Sequence, residues 1–406
     1  MEVSPLSALF QDSEIGPLET VIIHEPGPEV EQMTPQSASE LLYNEIVPGE
    51  VVRREHQLLR KLLEEYAETI ELSSLLVDAL RREEGRRFAL EAIEASAPRV
   101  AQEASKLDAP ELATLLVRGV PRRPTSFTDY FDPRHYELPP LPNLYFMRDS
   151  AFVFRETLFL SSMAYTVRQG ESLLTELALR FGYANPSPRV VRFDHRIEGG
   201  DVAVLSPTLL AAGLSQRTSP EALDRLAFEA AKVAGEEVTV LGVLLPDRRS
   251  TIHLDMVFTQ LDRNLALVHG KSLDHAPTLA VQVGPEGDSR FREYSNLAEA
   301  LRQVGAEMEF IQCGGESRIA QEREQWLAGA NTFALAPGVV ITLEANSATN
   351  RELEAAGFTV RVVGEEELPK RPFDRRYALL IPGVELARGG GGPRCMTLPI
   401  RRAPLG

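Results

Sequence analysis

Cysteine is nearly absent from this chain: Cys313 and Cys395 are the only two in 406 residues. At most one disulfide can form. That excludes a small secreted scaffold stapled by bridges and points to a reducing compartment, the cytoplasm. The seven histidines are scattered, without CxxC or HxxxH spacing, so no metal site is expected. Basic residues are outnumbered, 43 Lys+Arg against 59 Asp+Glu, for a formal charge of −16. A chain of that sign lacks the cationic surface that nucleic acid or an anionic membrane face requires. Apolar runs are short: none approaches the roughly 18 residues of a spanning helix. The opening MEVSPLSALFQDSEIG has neither a basic start nor a long apolar stretch, so no secretory signal is expected there. What is present, 43% hydrophobic and 25% charged residues, suits a soluble globular protein with a large core.

Residues 20–24 (TVIIH) read as a strand, residues 51–66 as an amphipathic helix and residues 67–72 (AETIEL) as a second strand. From residue 75 to about 120 the chain is rich in Leu, Ala, Glu and Arg at helical spacing. The stretch PRRPTSFTDYFDPRHYELPPLPN follows, and its prolines predict an extended linker. The expected organisation is an α/β body made of residues 1–72 and 141–406, interrupted by a helical insertion at 73–140.

The α/β part repeats itself loosely. Asp149 leads into AFVF and TLFL, Asp201 into VAVLS and TLLAAG, Asp255 into MVFTQ and NLALVHG, and Asn331 into TFALA and VVITLEA. Each unit is a small acidic or amide residue, a strand, a tight turn and a second strand. The first, second and fourth continue into a helical pattern and a further strand. The lead residues are spaced by 52, 54 and 76. With the N-terminal strand–helix–strand as a degenerate fifth member, five α/β units could close into a ring.

In such a ring the leads gather on one face. Carboxylates there repel one another unless a cation binds between them, and a guanidinium, whose planar fork pairs with carboxylates, suits better than a metal. The alternative is that each Asp caps a turn; Asp201, in EGGD, is the first choice for that role. His253 stands two residues before Asp255, placed for proton transfer or for a satisfied core position. Cys395 ends the glycine run Gly389–Gly392 beside Arg394, a setting for a thiolate nucleophile or for an incidental loop thiol. Cys313 follows EFIQ and reads as a structural strand-end residue. Arg168 and Arg217 each follow the second strand of a unit, where they could grip a carboxylate or simply start a helix.

Taken together, these residues resemble the arginine deiminases of the guanidine-modifying superfamily. The resemblance runs from SEIG and VIIHEPG through NLYFMRD, EGGDV, HLDMVF, EQWLAGANTFALAPGVV and GGPRCMTLP, and takes in the helical insertion. It implies a five-bladed α/β propeller, a pentein of αββαβ-like units with an inserted helical bundle. It also implies roles: Cys395 as nucleophile, His253 as proton carrier partnered by Glu198, and Asp149 with Asp255 as the guanidinium clamp. Arg168 and Arg217 would take the substrate α-carboxylate, with Asn143 and Phe146 as further contacts. L-arginine would become L-citrulline and ammonia through a covalent amidino-cysteine, with no metal or organic cofactor, in a protein expected to be a homo-oligomer. Two features depart from the family pattern: Gly390 stands where many members carry arginine, and EEELPKRPFDRRYALLIPG is longer, which suggests altered gating. A different guanidino hydrolase, an amidinotransferase and a silent arginine-binding protein are the competing readings.

Overall fold

The computed structural model describes residues 9–43, 45–132, 134–183 and 187–405 of a mixed α/β chain. Among the described residues one strand arrangement occurs five times: two short antiparallel strands with a third running parallel to one of the pair. Strands Ala151–Phe154 and Thr157–Leu160 pair antiparallel, and Arg189–Arg192 returns parallel to the second. Val202–Ser206, Leu209–Leu214 and Val238–Leu244 repeat the pattern. So do Phe258–Asp262, Leu265–Val268 and Glu309–Gln312. AFVF and TLFL are apolar at nearly every position because both faces of these strands are buried. The parallel return needs a crossover, which in the second unit is helix Pro220–Ala234, started by the Ser219 side chain accepting from the Ala222 N–H.

Four sequence expectations need correction. In the Asp255 unit the pattern does continue into a helix, Leu297–Gln303, and a further strand. It was hidden by an intervening hairpin, Thr278–Val283 with Ser289–Tyr294, which joins the previous sheet and widens it to five strands. That hairpin lengthens the spacing to the next lead residue. In the fourth unit the strand beside Val339–Leu343 is Tyr377–Ile381, and the expected Thr359–Val362 lies outside it at the sheet edge. The longer segment before the nucleophile loop therefore supplies a central buried strand. The N-terminal unit is completed by the other end of the chain, since Leu398–Arg402 pairs antiparallel with Leu18–Ile23 while Glu68–Glu71 pairs parallel. Finally, the expected linker holds a strand pair, Val120–Pro121 with Tyr136–Leu138, and a short helix, Phe127–Tyr130.

Helices Leu72–Arg81, Glu83–Ser96, Pro98–Ala104 and Ala109–Arg118 follow the first unit. Their apolar stripes, including Leu76, Leu80 and Leu112, share one core with Leu158, Leu174 and Leu177. No helix of the described residues is long and apolar enough to cross a membrane.

Candidate active site

The lead residues converge because each sits in a tight turn just before a buried strand. Asp149 lies in the turn Met147–Ser150, Asp201 in Gly199–Asp201 and Asp255 in Leu254–Met256. Asn331, the fourth lead, precedes Phe333–Ala336. Around them lies a cavity of about 200 Å³ lined by Asn143, Phe146, Asp149, Arg168, Arg217, His253 and Cys395. Glu198 and Asp255 are fully buried just behind it.

The thiol of Cys395 is buried. Its Sγ is 3.1 Å from Asn331 Nδ2 and 3.6 Å from Asp255 Oδ2. Asn331 also accepts from the backbone N–H groups of Arg394 and Cys395 at 3.0 and 3.2 Å, and its Nδ2 donates to the Asp255 carbonyl at 3.1 Å. It fixes the nucleophile loop and touches the sulfur. The repeat had placed Asn331 beside the three aspartates, yet as an amide it was left out of the expected site. Arg394 had been expected to favour a thiolate. Instead its guanidinium donates to Asp255 at 2.9 Å and to Glu14 at 3.2 and 3.1 Å. Burial, followed by the charges of Asp255 and Asp149, pushes the Cys395 thiol well above its ordinary pKa. Both effects favour the thiol over the thiolate.

His253 Nε2 is 2.8 Å from Glu198 Oε2, and Nδ1 is 3.5 Å from Asp149 Oδ1. Burial opposes a charge on the ring, but Asp149, the Glu198 hydrogen bond and Asp201 outweigh it and raise the pKa to about 9. Burial likewise opposes ionisation of Glu198, but His253, Arg217 and Arg168 hold it at about 2. The pair is an imidazolium carboxylate at neutral pH.

Asp149 gives Oδ2 to Arg168 and Asp255 gives Oδ2 to Arg394, each at 2.9 Å. The Oδ1 atoms of both are buried without a hydrogen-bond partner. Two carboxylate oxygens without a hydrogen bond beside a thiol are the chemical demand of the site, because such acceptors are costly to bury unsatisfied. Asp201 makes no such demand: it accepts from Ser215 Oγ, Thr218 Oγ1 and the Leu254 N–H at 2.8, 2.7 and 3.0 Å. It is the structural acid that its EGGD setting suggested.

The two arginines are not equally free. Arg168 is bidentate on Glu171, at 2.9 and 2.7 Å, as well as paired with Asp149. Arg217 donates to Glu198 at 2.9 Å, lies over the Tyr165 ring and keeps a buried Nε without a partner. Asn143 donates to the Leu41 carbonyl at 2.9 Å, and Phe146 packs on Tyr145. Gly390 has φ of 109°, a conformation glycine favours, so an arginine there would strain this loop. The loop's cation at the cavity is Arg388, which pairs with Glu385 at 3.0 Å.

Asp149, Glu198 and His253 bring potential ligand atoms within 4.8 Å of one another, the spacing of a metal site. A protonated His253 offers no lone pair to a metal, and Arg168 and Arg217 already sit on Asp149 Oδ2 and Glu198, so this group does not favour a metal cation. Outside the expected set, Glu14 binds both Arg394 and, at 3.7 Å, the fully buried Arg148. SEIG carried no sign of that role, because Glu14 acts through residues more than a hundred positions away.

The fold is shared with solved structures of guanidino-modifying enzymes. The product-bound N-terminal domain of ArgZ, an arginine dihydrolase from cyanobacteria, matches with a TM-score of 0.54 at 15% identity, over 95% of this chain and 99% of that one. Unliganded AgrE matches with a TM-score of 0.54 at 18% identity, over 95% of this chain and 40% of that one. The particular family is fixed by sequence. The arginine deiminase family model matches residues 39–402. Arginine deiminases of Listeria monocytogenes and Limosilactobacillus reuteri are each 32% identical to this chain, over 98% of it and 98% and 99% of their own lengths. The chain belongs to the arginine deiminase family.

Proposed function

We propose that the protein is an arginine deiminase, a hydrolase of linear amidines that converts L-arginine to L-citrulline and ammonia. The observation that carries this is the pair of carboxylate oxygens, Asp149 Oδ1 and Asp255 Oδ1, left without a hydrogen bond beside the cavity that the Cys395 thiol lines, with only the His253 ring 3.5 Å from the former. A guanidinium supplies planar donors to both and cancels the charges that oppose ionisation of the sulfur. Substrate binding thus lowers the thiol pKa at the moment the nucleophile is needed, and the proton leaves to solvent.

Cys395 Sγ then attacks the guanidinium carbon, and the C=N electrons move onto nitrogen. His253, protonated at rest, donates to the leaving nitrogen as the C–N bond breaks, and ammonia departs. A water gives its proton to His253 and its oxygen to the amidino carbon. The C–S bond breaks, and citrulline and thiolate result. Glu198 holds the ring and keeps it charged until the proton is required. The substrate α-carboxylate is met by the free Nε of Arg217, with Arg168, Asn143 and Phe146 completing the cavity wall. The five strand units are read as the blades of a closed propeller, and residues 73–140 as a helical insertion into it. A free thiol nucleophile suits the reducing cytoplasm.

Purified protein should release citrulline and ammonia from L-arginine and reject agmatine by up to about 10⁴-fold, because agmatine leaves the buried Arg217 Nε without an acceptor. Equal turnover of both compounds would show that Arg217 does not read a carboxylate. Amidino transfer to an added amine would favour the amidinotransferase reading, and tight arginine binding without product would favour a silent receptor.

A further inference from the structure

A second cleft, about 690 Å³, lies against the outer wall of the cavity just described. It is lined by three cations, Arg248, Lys271 and Arg323, and by the acid Glu322. Glu322 is already taken: Lys271 makes a short ion pair with it, and Arg318 Nε lies 3.5 Å away. The cleft is cationic in a protein whose formal charge is −16. At its base is His269, only 5% exposed, whose Nδ1 meets Ser272 Oγ at 2.8 Å. Its Nε2 is buried and has no partner. Burial lowers the pKa of this ring. When the Ser272 hydroxyl donates to Nδ1, Nε2 carries the ring proton and is a buried donor with nothing to receive it. Neither the fold nor the proposed chemistry uses this atom.

The same cleft carries apolar surface. Trp326, the sole tryptophan of the chain, and Ile319 are 51% and 73% exposed. Trp326, Ser250 and Gln325 line both cavities. Gln325 Nε2 donates to the carbonyls of Ser250 and Met256 at 2.5 and 3.2 Å, so the shared wall is tied to the segment carrying His253 and Asp255.

We infer that this cleft binds a phosphate-bearing anion among Arg248, Lys271, Arg323 and His269 Nε2, and that occupancy adjusts arginine binding through Gln325 and Trp326. A phosphate oxygen answers the imidazole donor, and guanidiniums match its geometry. The exposed indole face favours a planar ring on the same ligand, as in a nucleotide, over free phosphate.

Trp326 makes the test direct. The full chain is titrated with inorganic phosphate and, separately, with adenosine nucleotides, following tryptophan emission at constant ionic strength against sodium chloride. A saturable change is expected, with the nucleotides tighter than phosphate. An Arg248→Glu/Arg323→Glu variant should bind at least about ten-fold more weakly while turning over arginine as the parent does without anion. Saturating nucleotide should shift KM for arginine and leave kcat nearly unchanged. Three outcomes would overturn the inference: emission no different from the chloride control, a charge-reversed variant that titrates like the parent, or an apparent Kd for the anion that rises without a plateau as arginine is raised, where coupling between two sites would level off. The last would place the anion in the arginine cavity. None of them bears on whether arginine is the substrate.

Discussion

Asp201 and Asp255 occupy the same place in successive units, and their surroundings give them opposite roles. Around Asp201, Ser215 and Thr218 follow the second strand closely and spend their hydroxyls on the carboxylate, and the Leu254 N–H takes the remaining oxygen. Around Asp255 one oxygen is held by Arg394 and the other faces no donor. A repeat sets where the backbone brings a side chain; the neighbouring donors decide whether that side chain is spent on the fold or left for a ligand. The cysteines divide the same way. Cys313 follows a strand, is fully buried against Thr349, and burial, with the Glu324 charge nearby, pushes its thiol up to about 12. Cys395 is also buried, but it lines a cavity beside Asp255 and Asn331.

The strongest way to break this division is at the thiols. Cys395→Ser should lower kcat by at least about 10⁴-fold, while Cys313→Ser should retain most activity. Mass spectrometry of the arginine-treated parent should find an amidino adduct on Cys395; an adduct on Cys313 would reverse the assignment. Next comes Asp255→Asn. It should reduce kcat/KM by about 10²–10³-fold, because a charge that orients and holds the substrate cation is lost. Its melting temperature should fall as well, because the buried Arg394 loses the charge of Asp255 and keeps only Glu14 as an ionic partner.

Smaller losses are expected from residues that position the nucleophile and its partner. Asn331→Ala removes the contact to Cys395 Sγ and leaves two buried N–H groups without an acceptor, so kcat should drop about 10–100-fold. If Asn331 positions the sulfur, iodoacetamide inactivation of the free protein should change its pH profile in this variant. An unchanged profile would restrict the residue to loop packing. Gly200→Ala tests the other wall. A Cβ there would stand 2.6 Å from His253 Nδ1 and 2.8 Å from Asp149 Oδ1. The imidazole must tilt, and kcat should decrease more than arginine affinity, measurable as a kcat-against-KM split.

The sequence showed what local pattern can show. Strand pairs such as AFVF and TLFL, the glycine loop and the placement of Asp149, Asp201, Asp255 and Asn331 were all visible, because alternation, turn residues and repetition are local. The Thr278–Tyr294 hairpin was not, since its strands pair with the preceding unit and interrupt their own. Nor was the place of Tyr377–Ile381, which enters the sheet ahead of a strand that precedes it in the chain. Long-range pairing carries no nearby signal. The site followed the same rule. Cys395, His253 and the aspartates stood out by residue type and spacing. Glu14 and Glu171 did not, because their meaning depends on which guanidinium arrives beside them. Arg168 read as a free cation only until Glu171, three residues on, was found holding it.

The smallest effect on turnover is expected at Asp201, and there the sharper reading is stability against pH. Burial raises the Asp201 pKa to about 7, against the lowering effects of His253, Thr218 and Ser215. In the unfolded chain the same carboxyl ionises near its ordinary 3.8. Between those values the folded state holds a proton that the unfolded state has released, so this group's stabilisation is complete below about pH 4 and fades as pH rises toward 7. Asp201→Asn cannot ionise and should remove that part of the slope. Its amide still accepts through oxygen, but its NH₂ must face the hydroxyls, which can turn to accept. A net loss of about 1–2 kcal/mol at acidic pH is expected, narrowing toward pH 7, with kcat/KM within about three-fold of the parent. Urea unfolding of both proteins at pH 4.5 and pH 7 measures the difference. Parallel pH profiles would mean that Asp201 is ionised throughout and that its three donors outweigh its burial. A collapse of kcat/KM without loss of stability would place Asp201 with Asp255 after all, and the division between the two entrances would fail.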